Sequence, residues 1–259
     1  MTDRRLSPDR DWMTTENPGS IAVPVADLLA KPDGPRDRQL VFGEAVSILG
    51  IRDGIAHVRA QKDGYHGFVA AQVIGPDITP THKVCAPATH VFSAPDIKSP
   101  DLLSLTFGSR VVAIDETQDF FQSSEGFIPK PHLCPIDQHA SDPALECLNF
   151  LGTPYLWGGN SRWGIDCSGL VQAALLACDL PCPGDSDLQA RAFGPALPEG
   201  STRKRNDLLF WKGHVAMVHD RHTMVHANAH HMMTRLENID TAMKRIEASG
   251  TPFLGLFRL

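Results

Sequence analysis

The feature that most constrains this fold is an internal echo. "LVFGEAVSIL", starting at Leu40, lines up with "LTFGSRVVAI", starting at Leu105, and "GYHGFVAAQVI" lines up with "SSEGFIPKPHL" at a spacing of about sixty residues. Within the first copy, the breakers "PDG", "FGE", "RDG" and "KDG" separate β-type runs such as "AVSIL", "IAHVRA" and "HGFVA". Short strands punctuated by turn residues fold as a small barrel or sandwich. A solenoid needs several repeats, so the pattern predicts two small all-β modules, over residues 20–77 and 78–137, after a polar tail at 1–19.

Beyond His139 the texture changes. "SDPALECLNFLG" opens with a cap followed by Pro and spaces Leu145, Leu148 and Leu151 as a helix does. "SGLVQAALLACDL" carries the stripe Leu170, Val171, Ala174, Leu175 and Cys178 of an amphipathic helix. Strand-like runs follow: "DLLFW", "HVAMVH", "TMVHA", "HMMTRL" and "PFLGLFRL". Helices first and antiparallel strands afterwards predict an α+β domain over 138–259.

The chain of 259 residues has a formal net charge of −6, which offers no electrostatic footprint for nucleic acid or an anionic membrane. No run of eighteen apolar residues exists to span a bilayer. The opening "MTDRRLSPDRDWMTTENPGS" lacks an apolar signal segment, so the expected location is the cytoplasm. There the six cysteines meet a reducing environment, and no C-x-x-C pair is present. Composition says nothing of oligomeric state.

Chemistry concentrates in "TPYLWGGNSRWGIDCSGLVQ", Thr153 to Gln172. Cys167 sits where a turn becomes a helix, and the unpaired N–H groups and dipole of a helix start lower a thiol's pKa. Downstream, His214 opens one strand-like run and His226 closes the next; a hairpin turning near Asp220–His222 sets them side by side, as base and orienting partner. His222, His226 and His230 would form a metal stripe on a helix, but the β-prone "HTMVHANA" spreads them along a strand, so neither metal nor organic cofactor is expected.

The blocks "PYLWGGNSRWGIDCSGLVQ", "GDSDLQ", "DLLFWKGHVAMV" and "MVHAN", in that order, resemble the NlpC/P60 family of cysteine peptidases, and the upstream pair resembles bacterial SH3 (SH3b) domains. The resemblance implies a papain-like catalytic domain, with Cys167 as nucleophile, His214 as base and His226 as third polar residue. It further implies the subgroup that hydrolyses the γ-D-glutamyl–diamino acid bond of murein peptides with a free N-terminal L-Ala. For that substrate it implies a binding set of Tyr155, Trp157, Asp166, Ser168 and Ser186, with Tyr65 of the first SH3b module. Glu44 in "VFGEAV" is a candidate for the substrate's ammonium or a turn carboxylate. Asp166 equally suits a helix cap, and Tyr155, Trp157 and Tyr65 suit ordinary core or turn positions. Two positions depart from the family pattern: "GF" at Gly67-Phe68 replaces "GW", and Ala216 replaces a glycine.

Overall fold

The computed structural model describes residues 3–259. The chain forms two compact units, one ending at Gln138 and the other running from His139 to Leu259. No helix among the described residues is long and apolar enough to cross a membrane.

In the first unit, seven strands make one antiparallel sheet. From edge to edge they are Arg36–Val41, Val25–Leu29, His66–Ala70, Ile55–Ala60, Ala45–Arg52, Asn17–Ile21 and Ile74–Gly75. Alternation buries Ile21, Leu28, Leu40, Val58 and Val69, and Phe68 takes the place of the expected tryptophan, 5% exposed. The segment expected as a polar tail is instead built onto this sheet. Residues 17–21 are its strand, the ring of Trp12 meets Phe68 edge-on at 5.1 Å, and the carbonyl of Arg5 accepts from the His66 N–H. A tail rich in polar residues still docks when one aromatic and its own backbone find partners.

Residues 82–135 form two further sheets, of five and three strands, around Val84, Val91, Leu105, Val111, Ile128 and Leu133. The sequence echo has a physical basis. Gly43 and Gly108 occupy the same turn in the two copies, both with positive φ (75° and 82°), which glycine adopts without penalty. Phe42 reaches across into the second core, and its carbonyl accepts from the Arg110 N–H at 2.8 Å. A Cβ at Gly43 would lie 2.0 Å from the Arg110 carbonyl oxygen, so that turn is also a contact.

The second unit has α+β architecture. A five-stranded antiparallel sheet runs Met233–Asn238, Thr223–Asn228, His214–Val218, Leu208–Trp211, Phe253–Phe257. The helix Cys167–Ala177 packs against the His214 and Thr223 strands. The "DPALECLNFL" helix is shorter than its pattern suggests: Pro143–Glu146 is α-helical and Cys147–Phe150 tightens to 3₁₀. Its buried face is Ala144, Cys147 and Phe150, while Leu145 and Leu151 are exposed, so the expected stripe is displaced by one residue. The tightening rotates the helix relative to an α-helical projection.

A helix absent from the sequence expectation, Ile239–Ala248, covers the sheet. Asn238 caps it by accepting from the Thr241 N–H, and Ile239, Ala242 and Ile246 join Leu209, Trp211, Ala216, Val218 and Met224 in one core. Ala216, where the family pattern has glycine, is fully buried there.

Candidate active site

The turn before the Cys167 helix is built by close backbone approach. Asn160–Ser161 and Gly164–Ile165 pair as a short ribbon, and Gly169, in the first helical turn, abuts the Gly159 carbonyl; a Cβ at Gly169 would lie 2.5 Å from that oxygen. Asp166 is the cap. Its Oδ1 accepts from the Gly169 N–H at 2.7 Å and the Ser168 hydroxyl at 3.0 Å, and its Oδ2 accepts from the Gly158 N–H at 2.9 Å. Such a cap contributes about 1 kcal/mol to the helix. It also fixes a negative charge at the helix start, next to the thiol.

Cys167 is 6% exposed. The backbone N–H groups of Val215, Ser168 and Cys167 act on its sulfur and favour the thiolate, but burial and the Asp166 carboxylate outweigh them. The thiol is pushed up to about 12. This corrects the expectation of a lowered pKa, because a helix start cannot offset the desolvation of a thiolate facing a carboxylate. The Val215 contact brings the strand that His214 opens alongside the start of the Cys167 helix.

The two histidines come from a hairpin whose turn Asp220 holds, accepting from the N–H groups of His222 and Thr223 at 2.8 Å each. The register Met217↔Val225 and Val218↔Met224 leaves His214 diagonal to His226 on one face. His214 Nε2 lies 2.9 Å from His226 Nδ1. Burial, then the neighbouring His226 and Arg245, lower the His214 pKa to about 3. His226 is fully buried, and desolvation lowers its pKa as well. Both rings are neutral at pH 7. His222 and His230 are exposed while His226 is buried, so those three share no common site.

Tyr155 is half-buried, and its phenol is pushed up by burial and by the charges of Cys167 and Asp166, which puts all three in one electrostatic neighbourhood. Trp157 is 70% exposed. Ser168 is buried against Asp166. Ser186 opens the short helix Ser186–Ala192, which Gln189 ties to the catalytic helix by donating to the Ser168, Pro183 and Gly184 carbonyls at 2.9–3.1 Å. Gln189 stood inside "GDSDLQ" but received no role from sequence.

Glu44 and Tyr65 belong to the other unit. Glu44 accepts from the Val41 N–H at 3.2 Å and from Lys62 Nζ at 2.6 Å, which is the turn-carboxylate role. Tyr65 is buried, with the Arg38 guanidinium 5.7 Å from its ring centre.

Known proteins resemble this chain. Residues 152–247 match the NlpC/P60 family, and residues 28–74 match the bacterial dipeptidyl-peptidase SH3 domain. Dipeptidyl-peptidase 6 of Lysinibacillus sphaericus is 25% identical over 236 residues, covering 80% of this chain and 86% of its own length. A gamma-D-glutamyl-L-lysine dipeptidyl-peptidase of Bacillus subtilis is 29% identical over 192 residues, 67% of this chain and 63% of its own. The solved structure of an NlpC/P60 family protein from Bacillus cereus shares the fold, with a TM-score of 0.78 at 20% identity over 93% of this chain and 99% of its own. The matched segment brackets the Cys167 helix and both histidines, and it is a cysteine peptidase domain of the NlpC/P60 type.

Proposed function

We propose that this peptidase hydrolyses the γ-D-glutamyl–diamino acid bond of murein peptides that carry a free N-terminal L-Ala, as a cytoplasmic step in the recycling of cell-wall peptides. The observation that carries the proposal is the Asp166 carboxylate, fixed by three donors beside a buried thiol and a hydrogen-bonded histidine pair. A fixed anion beside the nucleophile suits an ammonium carried on the second residue before the scissile bond. The name of the Bacillus subtilis relative supports the γ-D-glutamyl class.

Cys167 is the nucleophile and His214 the base. The thiol proton passes to His214 as the sulfur attacks the γ-carbonyl of D-Glu, and backbone N–H groups at the helix start stabilise the oxyanion. Collapse of the tetrahedral intermediate breaks the C–N bond, and His214 returns its proton to the departing amine of the diamino acid. The L-Ala-γ-D-Glu thioester is then hydrolysed by a water that His214 deprotonates. Because the resting pair is neutral, proton transfer belongs to the chemical step. Tyr155, Ser168 and Ser186 complete recognition on the catalytic unit, and residues 78–137 are a second SH3b module. Tyr65 of the first module is the residue that discriminates against extended N-termini in this proposal, while Glu44 keeps its turn role.

The test is incubation with L-Ala-γ-D-Glu-diaminopimelate beside its N-acetylated copy, read by mass spectrometry. Cleavage of the free peptide alone is expected. Equal cleavage of both, or release of peptides from intact sacculi, points instead to a wall-lytic enzyme. Tyr65→Ala is expected to raise relative activity on N-extended peptides; an unchanged preference removes the first module from recognition.

A further inference from the structure

We propose that Glu237 is a positioning residue of the catalytic pair: its carboxylate fixes the tautomers of His226 and His214, so that His214 presents a bare Nδ1 to Cys167. This rests on the assignment of Cys167 and His214 as nucleophile and base.

The geometry is a chain of three polar contacts. Arg245 Nη2 donates to Glu237 Oε2 at 2.7 Å, His226 Nε2 lies 2.9 Å from the same oxygen, and His214 Nε2 lies 2.9 Å from His226 Nδ1. The strand register explains the alignment. His226 pairs with Arg235 and Met224 with Glu237, which puts Glu237 diagonal to His226 on one face of the sheet. The Glu237 side chain is 10% exposed and the His226 side chain fully buried, so water does not compete for these contacts. Burial raises the Glu237 pKa, but the hydrogen bonds from His226 and Arg245 outweigh it and hold the carboxyl at about 2.

An ionised carboxylate only accepts, and a neutral imidazole carries one N–H. The proton of His226 therefore sits on Nε2, facing Glu237, and its Nδ1 is an acceptor. The facing Nε2 of His214 must then be the donor. With its one proton committed there, His214 has an unprotonated Nδ1. When the thiol proton arrives at that nitrogen, the charge stays on His214, whose Nε2–H remains bonded to His226; no proton reaches Glu237.

A competitor makes the role of Glu237 measurable. Asn228 Nδ2 lies 3.1 Å from His226 Nε2, while Asn228 Oδ1 accepts from the backbone N–H of His231 at 2.8 Å and lies 3.0 Å from its Nδ1. The amide nitrogen thus faces a ring nitrogen that Glu237 keeps protonated. Without the carboxylate, Asn228 would donate to Nε2. The His226 proton would move to Nδ1, and His214 would be driven to carry its own proton on Nδ1, where the thiol needs a base. A hydrogen bond to a charged group is stronger than one between neutral groups, so Glu237 prevails over Asn228 while it is present.

The experiment is histidine ring ¹⁵N NMR on the full chain at pH 7.5, with turnover measured in parallel. In the wild type, His214 and His226 are both expected as Nε2–H tautomers. Finding a proton on Nδ1 of either ring overturns the proposal before any variant is made. In Glu237→Gln, the Nδ1–H form is expected to dominate and kcat to fall by about 10², the size of a lost orienting contact, with KM little changed. Adding Asn228→Ala to Glu237→Gln removes the competitor and is expected to restore part of the Nε2–H population and of kcat; a merely structural glutamate would give no such recovery. Unchanged tautomers with kcat within about threefold in Glu237→Gln also overturn the proposal, since a base of this kind contributes far more. The underlying assignment fails separately, if Cys167→Ala still turns over substrate; the tautomer signals need no turnover.

Discussion

Among the described residues, two histidine pairs lie largely out of water, and one of them is part of a catalytic arrangement. In the first unit, His57 and His66 have ring centres 5.7 Å apart, with His57 stacked on Phe68 at 4.8 Å. In the second, the rings of His214 and His226 are 5.2 Å apart. Desolvation is the leading cause of a lowered pKa in all four, to about 4 in His66 and about 3 in His214. The pairs differ in their hydrogen bonds. The Nδ1 atoms of His57 and His66 are buried with no hydrogen-bond partner, while His226 joins His214 on one side to Glu237 on the other. Burial alone makes an imidazole neutral; a directed hydrogen-bond chain ending in a carboxylate also decides which nitrogen is basic. A perturbed pKa therefore marks a candidate site only when such a direction accompanies it.

The widest gap between the pairs lies in turnover. Cys167→Ala and Cys167→Ser are expected to abolish cleavage while leaving the thermal midpoint near that of the wild type. His214→Ala is expected to lose about 10³–10⁴ in kcat, and His226→Ala about 10², because orienting a base contributes less than being the base. His57→Phe, in the first unit, is expected to stay within about threefold of wild type. Equal losses for His214→Ala and His226→Ala would mean that the two act as one unit, and a loss in His57→Phe as large as in His226→Ala would erase the contrast. The assay is release of the free diamino acid.

Thiol reactivity sharpens the same comparison. A helix start taken alone suggests that Cys167 is the most reactive of the six cysteines. With its pKa pushed up to about 12, it is expected to be the slower partner to exposed Cys85. At pH 7.5 and without substrate, iodoacetamide is expected to modify Cys85 on the order of 100-fold faster, because Cys85 is exposed while burial and the Asp166 carboxylate disfavour the Cys167 thiolate. Peptide mapping by mass spectrometry reads this directly. Preferential labelling of Cys167 would show that the resting site holds a thiolate.

The parts of this molecule legible in the sequence are those where local chemistry and tertiary role coincide. Phe42-Gly43 and Phe107-Gly108 announced a shared turn because a positive φ needs glycine wherever it occurs. Asp166-Cys167 announced a helix start because capping is local. Glu237 and Arg245 were not legible. "TRLENIDTAMKRIEASG" looks like a strand end followed by a polar segment, although Ile239, Ala242 and Ile246 do repeat at helical spacing. What joins these residues to His226 is strand pairing across the sheet, and no sequence interval encodes that.

The smallest effect expected is a slope in stability with pH, and its sign follows from the direction of the shifts. A histidine whose folded pKa lies below its unfolded value contributes stability that is present above about 6.5 and lost as pH falls through the folded value. For His66 that window runs from about 6.5 to about 4, and for His214 from about 6.5 to about 3. Glu237, held at about 2, adds a loss at the bottom of the same range. Between pH 6.5 and 4 the unfolded chain binds more protons than the folded one, so stability must fall with acidification. For a histidine 5% exposed, such as His66, the loss by pH 4 is about 3 kcal/mol, which lowers the thermal midpoint by several degrees. Calorimetry from pH 7 to 4 is expected to show that decline. His66→Leu is expected to flatten the slope while leaving turnover intact, whereas His214→Leu flattens it and loses turnover as His214→Ala does. A midpoint that stays constant from pH 7 to 4 would show that neither pair is buried neutral, and the distinction between a desolvated pair and a directed one would lose its footing.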